Sequence, residues 1–475
     1  MKERNFKETI KQLNNGSFET LTIIGEVADT LRYPCYVVGG WVRDLLLGVD
    51  NDDIDVVVVG SGKTMAEAVA KRIHGKVSIY ESYGTAQIMT NDGLEIEFVG
   101  ARKEFYHRES RNPIVENGTL QDDMDRRDFT INDMAICLNA DQFGNFIDPY
   151  NGYDDLRDGV IRCVGDAKER FDEDPLRMLR CIRFSARFDF VIDDETYNAI
   201  CEMHDRLSII TKERILAELN KMMQAPFPRD AIENLKDTGL LHYVLPELEA
   251  ACGQEVRDGK THKDIYLHSV TVLENVASVS KNLYLRWAAL LHDIGKVKVK
   301  AFKDGNWTFE NHAEVGAKMI DGIFKRLTFP LDDRMQYVKK LIRLHMRPMN
   351  LCEEGVTDAA IRRILFDAGD DIDDLLVLCN ADITSSNKSK VEAFQKNYEY
   401  LKKRMVELEE SDRLRNFQPP VDGNEIMEMF NLTPCKMVGV LKESVKDAIL
   451  DGIIPNEHDA AKTFVIQKFN ELNKK

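Results

Sequence analysis

The stretch Tyr36-Val37-Val38-Gly39-Gly40-Trp41-Val42-Arg43-Asp44-Leu45-Leu46-Leu47-Gly48, followed at once by Asp53-Ile54-Asp55-Val56-Val57-Val58-Val59, leaves little freedom of local structure. It reads as a strand, a glycine turn, a short helix, and a second strand that opens on two alternate aspartates. Residues i and i+2 of a strand share a face, roughly 7 Å apart along the chain. Asp53 and Asp55 can therefore present two carboxylates to one point, while Asp52 and Ile54 face away. Paired hard oxygens suit Mg²⁺, which also needs substrate phosphates as ligands. Gly39 and Gly40 let backbone N–H groups approach a phosphate at a helix N-terminus. A lone Asp-x-Asp is common in acidic turns; the Gly-Gly-x-x-Arg-Asp helix before it gives this pair its meaning.

The chain has 475 residues, 43% hydrophobic and 31% charged, enough for three or four domains. No apolar run approaches a membrane span and the N-terminus has no apolar signal core, so no membrane association and a cytoplasmic setting are expected. The nine cysteines are scattered without a Cys-x-x-Cys, which argues for reduced thiols. A net charge of -17 sits awkwardly with binding nucleic acid. Basic residues would have to be gathered locally, and two runs fit: Arg102, Lys103, Arg108 and Arg111, then Arg177, Arg180, Arg183 and Arg187.

Residues 1–32 read as an amphipathic helix. Strands are expected at Tyr36–Val38, Ile54–Val59, Val77–Tyr80, Gln87–Thr90 and Leu94–Val99, with helices at Trp41–Leu47, Thr64–Ile73 and Thr130–Cys137. The turn-rich 151–159 marks one boundary. Beyond about 165 only helices are expected, with a further boundary in the polar 253–263 and a charged helix over 388–410. The fold class is α+β: a head with a small mixed β-sheet (1–150), an all-α neck and body (151–255), a helical third domain (256–385) and a helical tail (386–475).

Further motifs carry chemistry. Asp125-Arg126-Arg127-Asp128-Phe129-Thr130-Ile131-Asn132 places two arginines beside a helix start, a cationic lip near free N–H groups. In Phe171-Asp172-Glu173-Asp174-Pro175-Leu176-Arg177, Asp174 and Arg177 stand three apart, the spacing of one helix face. Cytosine and adenine both show an amino donor beside a ring-nitrogen acceptor, which an aspartate and an arginine can match. Uracil and guanine would set a carbonyl against the aspartate. Separately, His268, the His292-Asp293-Ile294-Gly295-Lys296 run, His312, His345 and Asp382 form a mixed imidazole and carboxylate set, suited to a transition metal or Mg²⁺.

On these residues the chain resembles the polymerase-β-type nucleotidyltransferases, in the branch of bacterial CCA-adding tRNA nucleotidyltransferases and poly(A) polymerases. The His-Asp set resembles the HD phosphohydrolases. The first resemblance implies that Asp53 and Asp55 hold Mg²⁺ for a two-metal displacement at phosphorus. It also implies a third carboxylate on a neighbouring strand, where Glu95 and Glu97 share a face and Glu97 is favoured. Gly39, Gly40, Arg43, Asp44, Arg127, Asp128 and Asn132 would bind nucleotide, with Asp44 either a contact or an orienting partner of Arg43. Glu173, Asp174 and Arg177 match the family's Glu-Asp-x-x-Arg element for choosing the base. Arg180 would add to the nucleotide set, and Arg183 and Arg187 would bind RNA. The second resemblance implies a divalent metal (Mg, Mn or Ni) on His268, His292, Asp293, His312, His345 and Asp382. The expected activity is transfer of CMP and AMP from CTP and ATP to a tRNA 3′ end, with no obligate protein partner. Poly(A) polymerase, or an enzyme adding only CC or only A, is the alternative. A phosphohydrolase whose head merely binds nucleotide is a second, and a non-catalytic RNA-binding protein would have lost carboxylates that are all present.

Overall fold

The computed structural model describes residues 4–13, 16–80, 84–90, 93–107, 110–354, 357–385, 387–412 and 418–473. Arg108 lies outside them. The chain forms two compact units, Met1–Val244 and Leu245–Lys475.

The first unit is built on a seven-stranded mixed sheet. Its strands are β1 (Cys35–Val38), β2 (Asp53–Val58), β3 (Lys76–Tyr80), β4 (Thr85–Met89), β5 (Glu95–Gly100), β8 (Ala135–Cys137) and β9 (Phe146–Ile147), in the spatial order β3-β4-β5-β2-β1-β8-β9, while β6 (Arg102–His107) and β7 (Ser110–Asn117) form a separate hairpin. Strand β2 runs antiparallel to β1 and parallel to β5, with Asp55 opposite Val38 on one side and Glu97 on the other. Its apolar half is buried from Val56 to Val58, as a central strand covered on both faces requires, and its acidic end emerges at Asp53.

Helices α1 (Lys7–Lys11), α2 (Ser17–Leu31), α3 (Gly40–Leu47), α4 (Gly62–Ile73) and α5 (Leu120–Asp125) belong to the head, and α6 (Gly152–Asp158) follows it. The single N-terminal helix expected over 1–32 is thus two, with Gly16 at φ +75° opening the second. The helix expected over Thr130–Cys137 is absent. Instead one 3₁₀ turn, Thr130–Asn132, leads into β8, which pairs with the free edge of β1. Met134 to Cys137 are all buried, so no polar stripe exists for a helix to turn outward, and strand pairing prevails.

After the head come α7 (Ala167–Glu173), α8 (Leu176–Phe188), α9 (Asp194–Met203), α10 (Lys212–Gln224), α11 (Pro228–Asp237) and α12 (Leu241–Val244), with a two-residue parallel pair, β10 (Val160–Ile161) and β11 (Val191–Ile192), tying the segment together. The second unit is helical from α13 (Pro246–Glu249) through α14 (Ile265–Val279), α15 (Leu283–Leu291), α16 (Lys296–Val299), α17 (His312–Arg326), α18 (Asp333–Leu344), α19 (Met346–Glu354), α20 (Asp358–Ala368), α21 (Ile372–Ala381), α22 (Lys388–Asp412), α23 (Gly423–Phe430), α24 (Lys436–Leu450) and α25 (His458–Leu472). Two small hairpins interrupt it, β12 (Val256–Arg257) with β13 (Lys260–Thr261) and β14 (Ala301–Lys303) with β15 (Asn306–Thr308). The expectation of no strands beyond 165 is corrected by these short pairs, too brief to leave a periodic signal. Among the described residues no helix is long and apolar enough to cross a membrane.

Candidate active sites

In the head, three carboxylates gather at the open end of β2 and β5. Burial pushes Asp55 up to about 6, reinforced by the charges of Asp53 and Glu97 and opposed by Arg127 and Arg43. Glu95, on the same face as Glu97, is engaged by the side chain of Gln87. A buried carboxylate crowded by two others is part of a hard-oxygen donor set that a divalent cation would relieve.

The turn beside them is tightly built. Gly39 has φ +70° and ψ -134°. A β-carbon there would stand 3.2 Å from Arg127 Nη1 and 3.4 Å from Asp55 Oδ2. Arg127 is held from behind: its Nη2 donates to Asp123 at 3.0 Å, its Nη1 to the Asn132 carbonyl at 3.3 Å, and its Nε lies 3.7 Å from Asp133.

Arg43 is buried. It is 4% exposed. Its Nε donates to Asp44 at 2.8 Å and its Nη1 to Asn132 at 2.6 Å, over the rings of Phe184 and Phe188. Asp44 also accepts from Asn51, so it orients Arg43. Asp128 accepts from Arg180 Nε at 2.7 Å and from Asn132 at 3.2 Å. Burial acts to raise Asp128, but Arg180 and Asn132 draw it down to about 2.

A cleft of ≈ 420 Å³ opens next to this motif, lined by residues that include Arg126, Arg127, Asp174, Arg177, Arg180 and Arg214. Both members of the expected Asp174–Arg177 pair lie there, but they do not share a helix face. Asp174 ends α7 in an extended conformation (φ -139°), because Pro175 begins the next helix. Its Oδ1 caps α8 by accepting from the Leu176 N–H at 3.1 Å, and its Oδ2 lies 3.4 Å from Arg214 Nη2. Arg177 instead bonds Glu173 at 2.8 Å and the Arg126 carbonyl at 2.6 Å. Arg214, on α10, is a cleft residue that spacing arguments missed; it lies 40 residues from its partner and no local pattern announces it.

The expected basic stripe on α8 is only partly a surface. Arg183 is 8% exposed and its Nε donates to Glu218 at 2.6 Å. It packs between α8 and α10, so the RNA contact expected of it falls on a side chain that is buried here. The Arg187 side chain remains 44% exposed.

In the second unit all six expected ligands converge. His268 Nε2 lies 2.8 Å from Asp382 Oδ1 and 3.5 Å from Asp293 Oδ2, and His292 Nε2 lies 3.4 Å from Asp293 Oδ2. On the other side of Asp293, Oδ1 lies 3.4 Å from His312 Nε2 and 3.7 Å from His345 Nε2, and makes no hydrogen bond although buried. Nδ1 of His292, His312 and His345 faces the carbonyls of Ala289, Phe309 and Ile342 at 2.6–2.9 Å, which turns each Nε2 inward. Burial would lower His292, yet Asp293 and Asp382 raise it to about 10; burial and His292 push His345 down to about 4. Gly295 matters here: a β-carbon on it would stand 2.0 Å from the His312 carbonyl, so only glycine lets α17 start close enough to deliver His312. A cavity of ≈ 460 Å³ adjoins the cluster, lined in part by Lys263, Lys296 and Trp307.

Comparison with known proteins agrees with this geometry. Residues 35–162 match the model of the poly(A) polymerase head domain, 189–252 that of the probable RNA and SrmB-binding site of polymerase A, and 265–386 that of the HD domain. The multifunctional CCA protein of Vibrio parahaemolyticus is 32% identical over 365 residues, 73% of this chain and 84% of that protein. The chain belongs to the tRNA nucleotidyltransferase and poly(A) polymerase family. Other members differ in scope. The A-adding tRNA nucleotidyltransferase of Geobacter sulfurreducens is 41% identical over 48% of this chain, which spans only 26% of that relative's length; for the A-adding relative of Halalkalibacterium halodurans the share is 53%. The fold of the Thermotoga maritima CCA-adding enzyme complexed with tRNA matches with a TM-score of 0.64 at 23% identity, over 98% of this chain and all of that one. The head and HD domain types both imply dependence on a divalent metal.

Proposed function

We propose that the chain transfers CMP and AMP from CTP and ATP to the 3′ end of tRNA, releasing pyrophosphate. The observation that carries this reading is the convergence of Asp53, Asp55 and Glu97 beside a glycine turn backed by Arg127, next to a cleft holding Asp174 and Arg177. Asp53, Asp55 and Glu97 would hold Mg²⁺, which supplies positive charge for the triphosphate and favours ionisation of the primer 3′-hydroxyl. Arg127 and the Gly39-Gly40 backbone receive the phosphates. Arg43, fixed by Asp44, backs the site rather than touching substrate. Asp128, ionised and tied to Arg180, holds Asn132 in place. Asp174 and Arg177 select CTP and ATP over UTP and GTP. The head occupies about 1–150, the neck and body to about 255 carry the cleft, and 386–475 form a helical tail. Such an enzyme works in the cytoplasm, and the cysteines, free of disulfides, accord with that.

A second activity belongs to 256–385. Asp293 faces His268 and His292 with one oxygen and His312 and His345 with the other, while Asp382 lies against His268 and His292 and also groups with His345. These residues would hold divalent metal (Mg, Mn or Ni), which would supply positive charge for phosphoester hydrolysis, with Lys296 held against Asp293 at 2.5 Å. Addition of A alone is the rival reading for the head, favoured by the Geobacter relative.

Gel-resolved extension of tRNA transcripts ending before CCA, after C and after CC separates these readings, with Asp53→Ala as control. Growth that stops at CCA is expected. Extension only of the CC-ended transcript would replace the proposal with A addition, and a long A ladder would replace it with poly(A) synthesis.

A further inference from the structure

The cleft beside the head motif fixes its two recognition groups by different means. Arg177 is anchored within its own neighbourhood, by Glu173, the Arg170 carbonyl and the Arg126 carbonyl. Asp174 spends one oxygen on the first turn of α8, and its other oxygen faces Arg214 from α10. The Arg214 side chain is 34% exposed at the cleft wall, with Ala217 and Glu218 of the following turn also lining it. Its Nη1 is buried without a hydrogen bond, and its Nη2 makes the contact with Asp174 at 3.4 Å.

Discrimination between an amino group and a carbonyl at the same place on a base needs an acceptor that cannot turn away. A carboxylate free to swing about its Cβ–Cγ bond can yield to a carbonyl, or let water bridge the two acceptors. A carboxylate pinned at both oxygens, to a helix N-terminus on one side and a guanidinium on the other, cannot. An aspartate carboxylate offers acceptors only, which is the chemistry the amino group of a correct base needs.

We propose that Arg214 is a specificity-determining residue for nucleotide choice, a positioning residue that acts through Asp174 by fixing its carboxylate against rotation in the base cleft. The inference rests on the reading of that cleft as the base site. Arg214 takes no part in the chemistry at phosphorus, so its loss should relax selectivity while leaving turnover of the correct nucleotide nearly intact.

The test is single-nucleotide incorporation into tRNA transcripts by the full chain, with kcat and KM for CTP, UTP, ATP and GTP, for wild type, Arg214→Ala, Arg214→Lys and Asp174→Ala. Arg214→Ala is expected to lower the CTP/UTP and ATP/GTP ratios of kcat/KM by about tenfold, with kcat for CTP and ATP within about threefold of wild type. Arg214→Lys, which keeps the charge but not the fork, should recover part of the ratio. Thermal melting is followed in parallel. If Asp174→Ala changes selectivity and Arg214→Ala does not, the role of Arg214 is overturned and the cleft reading stands. If Asp174→Ala itself leaves selectivity unchanged, the cleft reading fails first. An equal loss towards all four nucleotides on Arg214→Ala, or no recovery of the ratio by lysine, also overturns the proposal.

Discussion

Gly39 and Asp55 stand so close that a β-carbon on the first would touch Oδ2 of the second at 3.4 Å, with Arg127 Nη1 at 3.2 Å on its other side. The backbone there lies at φ +70° and ψ -134°, a region that costs a side-chain-bearing residue about 1–3 kcal/mol. Gly39→Ala should therefore lower kcat/KM for CTP by about tenfold or more. Single-nucleotide extension checks it. An alanine variant with wild-type kinetics would mean that the turn is not where the triphosphate sits.

The elevated Asp55 sets a pH dependence. Near pH 6 the carboxyl is half protonated, and a proton there competes with a metal ion. The Mg²⁺ concentration giving half-maximal extension should rise as pH falls through about 6, by up to tenfold per unit below it. Magnesium titrations at pH 5.5 and 8 measure this directly. Identical midpoints would remove Asp55 from the metal site.

Asp133 offers a stability test whose sign is fixed. It is fully buried with both carboxyl oxygens lacking a hydrogen bond, and burial pushes it up to about 9 against the pull of Arg127. The folded chain keeps a proton that the unfolded chain releases near pH 3.9. Folding is therefore penalised progressively as pH climbs from about 4 to 9. Asp133→Asn, neutral at every pH, should melt higher than wild type at pH 8 and give no gain at pH 4. A lower Tm at pH 8 would show the carboxylate charged and needed.

Arg183 and Arg187 should separate in their effects. Removing Arg183 strands the buried Glu218, a loss of about 3–5 kcal/mol in such pairs. Arg183→Ala should thus lower Tm sharply. Arg187→Ala should leave Tm near wild type and weaken tRNA binding, with a smaller salt dependence. Melting curves and filter binding at two salt concentrations distinguish them.

Metal content offers a test of the second unit. Two divalent ions per chain are expected at that cluster, falling to one in His312→Ala and to none in Asp293→Ala, which loses the carboxylate that faces both pairs of histidines. Elemental analysis after dialysis reads this, alongside phosphoester hydrolysis. Asp293→Ala should leave CCA addition unchanged. Retention of both ions in His312→Ala would remove His312 from the metal site.

Much of this was legible in the residues because motif and element coincide. The strand and helix on either side of Gly39 and the acid face of β2 lie where local pattern places them, and the His and Asp side chains expected to gather in the second unit do so. What was not legible is relational. Asp174 and Arg177 have the spacing of a helical pair, but Pro175 restarts the helix between them and sends Asp174 to Arg214. Arg183 has the charge of a surface residue, and only the packing of α10 shows Glu218 opposite it. The run from Met134 to Cys137 is apolar enough for helix or strand, and the open edge of β1 decides. Asp133 carries no sign in the sequence of being the buried acid beside Arg127.

The parallel register of β2 against β5 also dictates when the head can become chemically competent. Antiparallel neighbours can meet across a tight turn, whereas parallel ones need a long crossover. Here the chain must lay down α4 and the β3–β4 hairpin before Glu97 can settle opposite Asp55. Arg127 arrives later still. A nascent polypeptide emerging from the ribosome therefore displays Asp53 and Asp55 long before it owns the third acid or the guanidinium that backs them. On the proposed reading, a chain that ends before Arg127 would lack part of the triphosphate site.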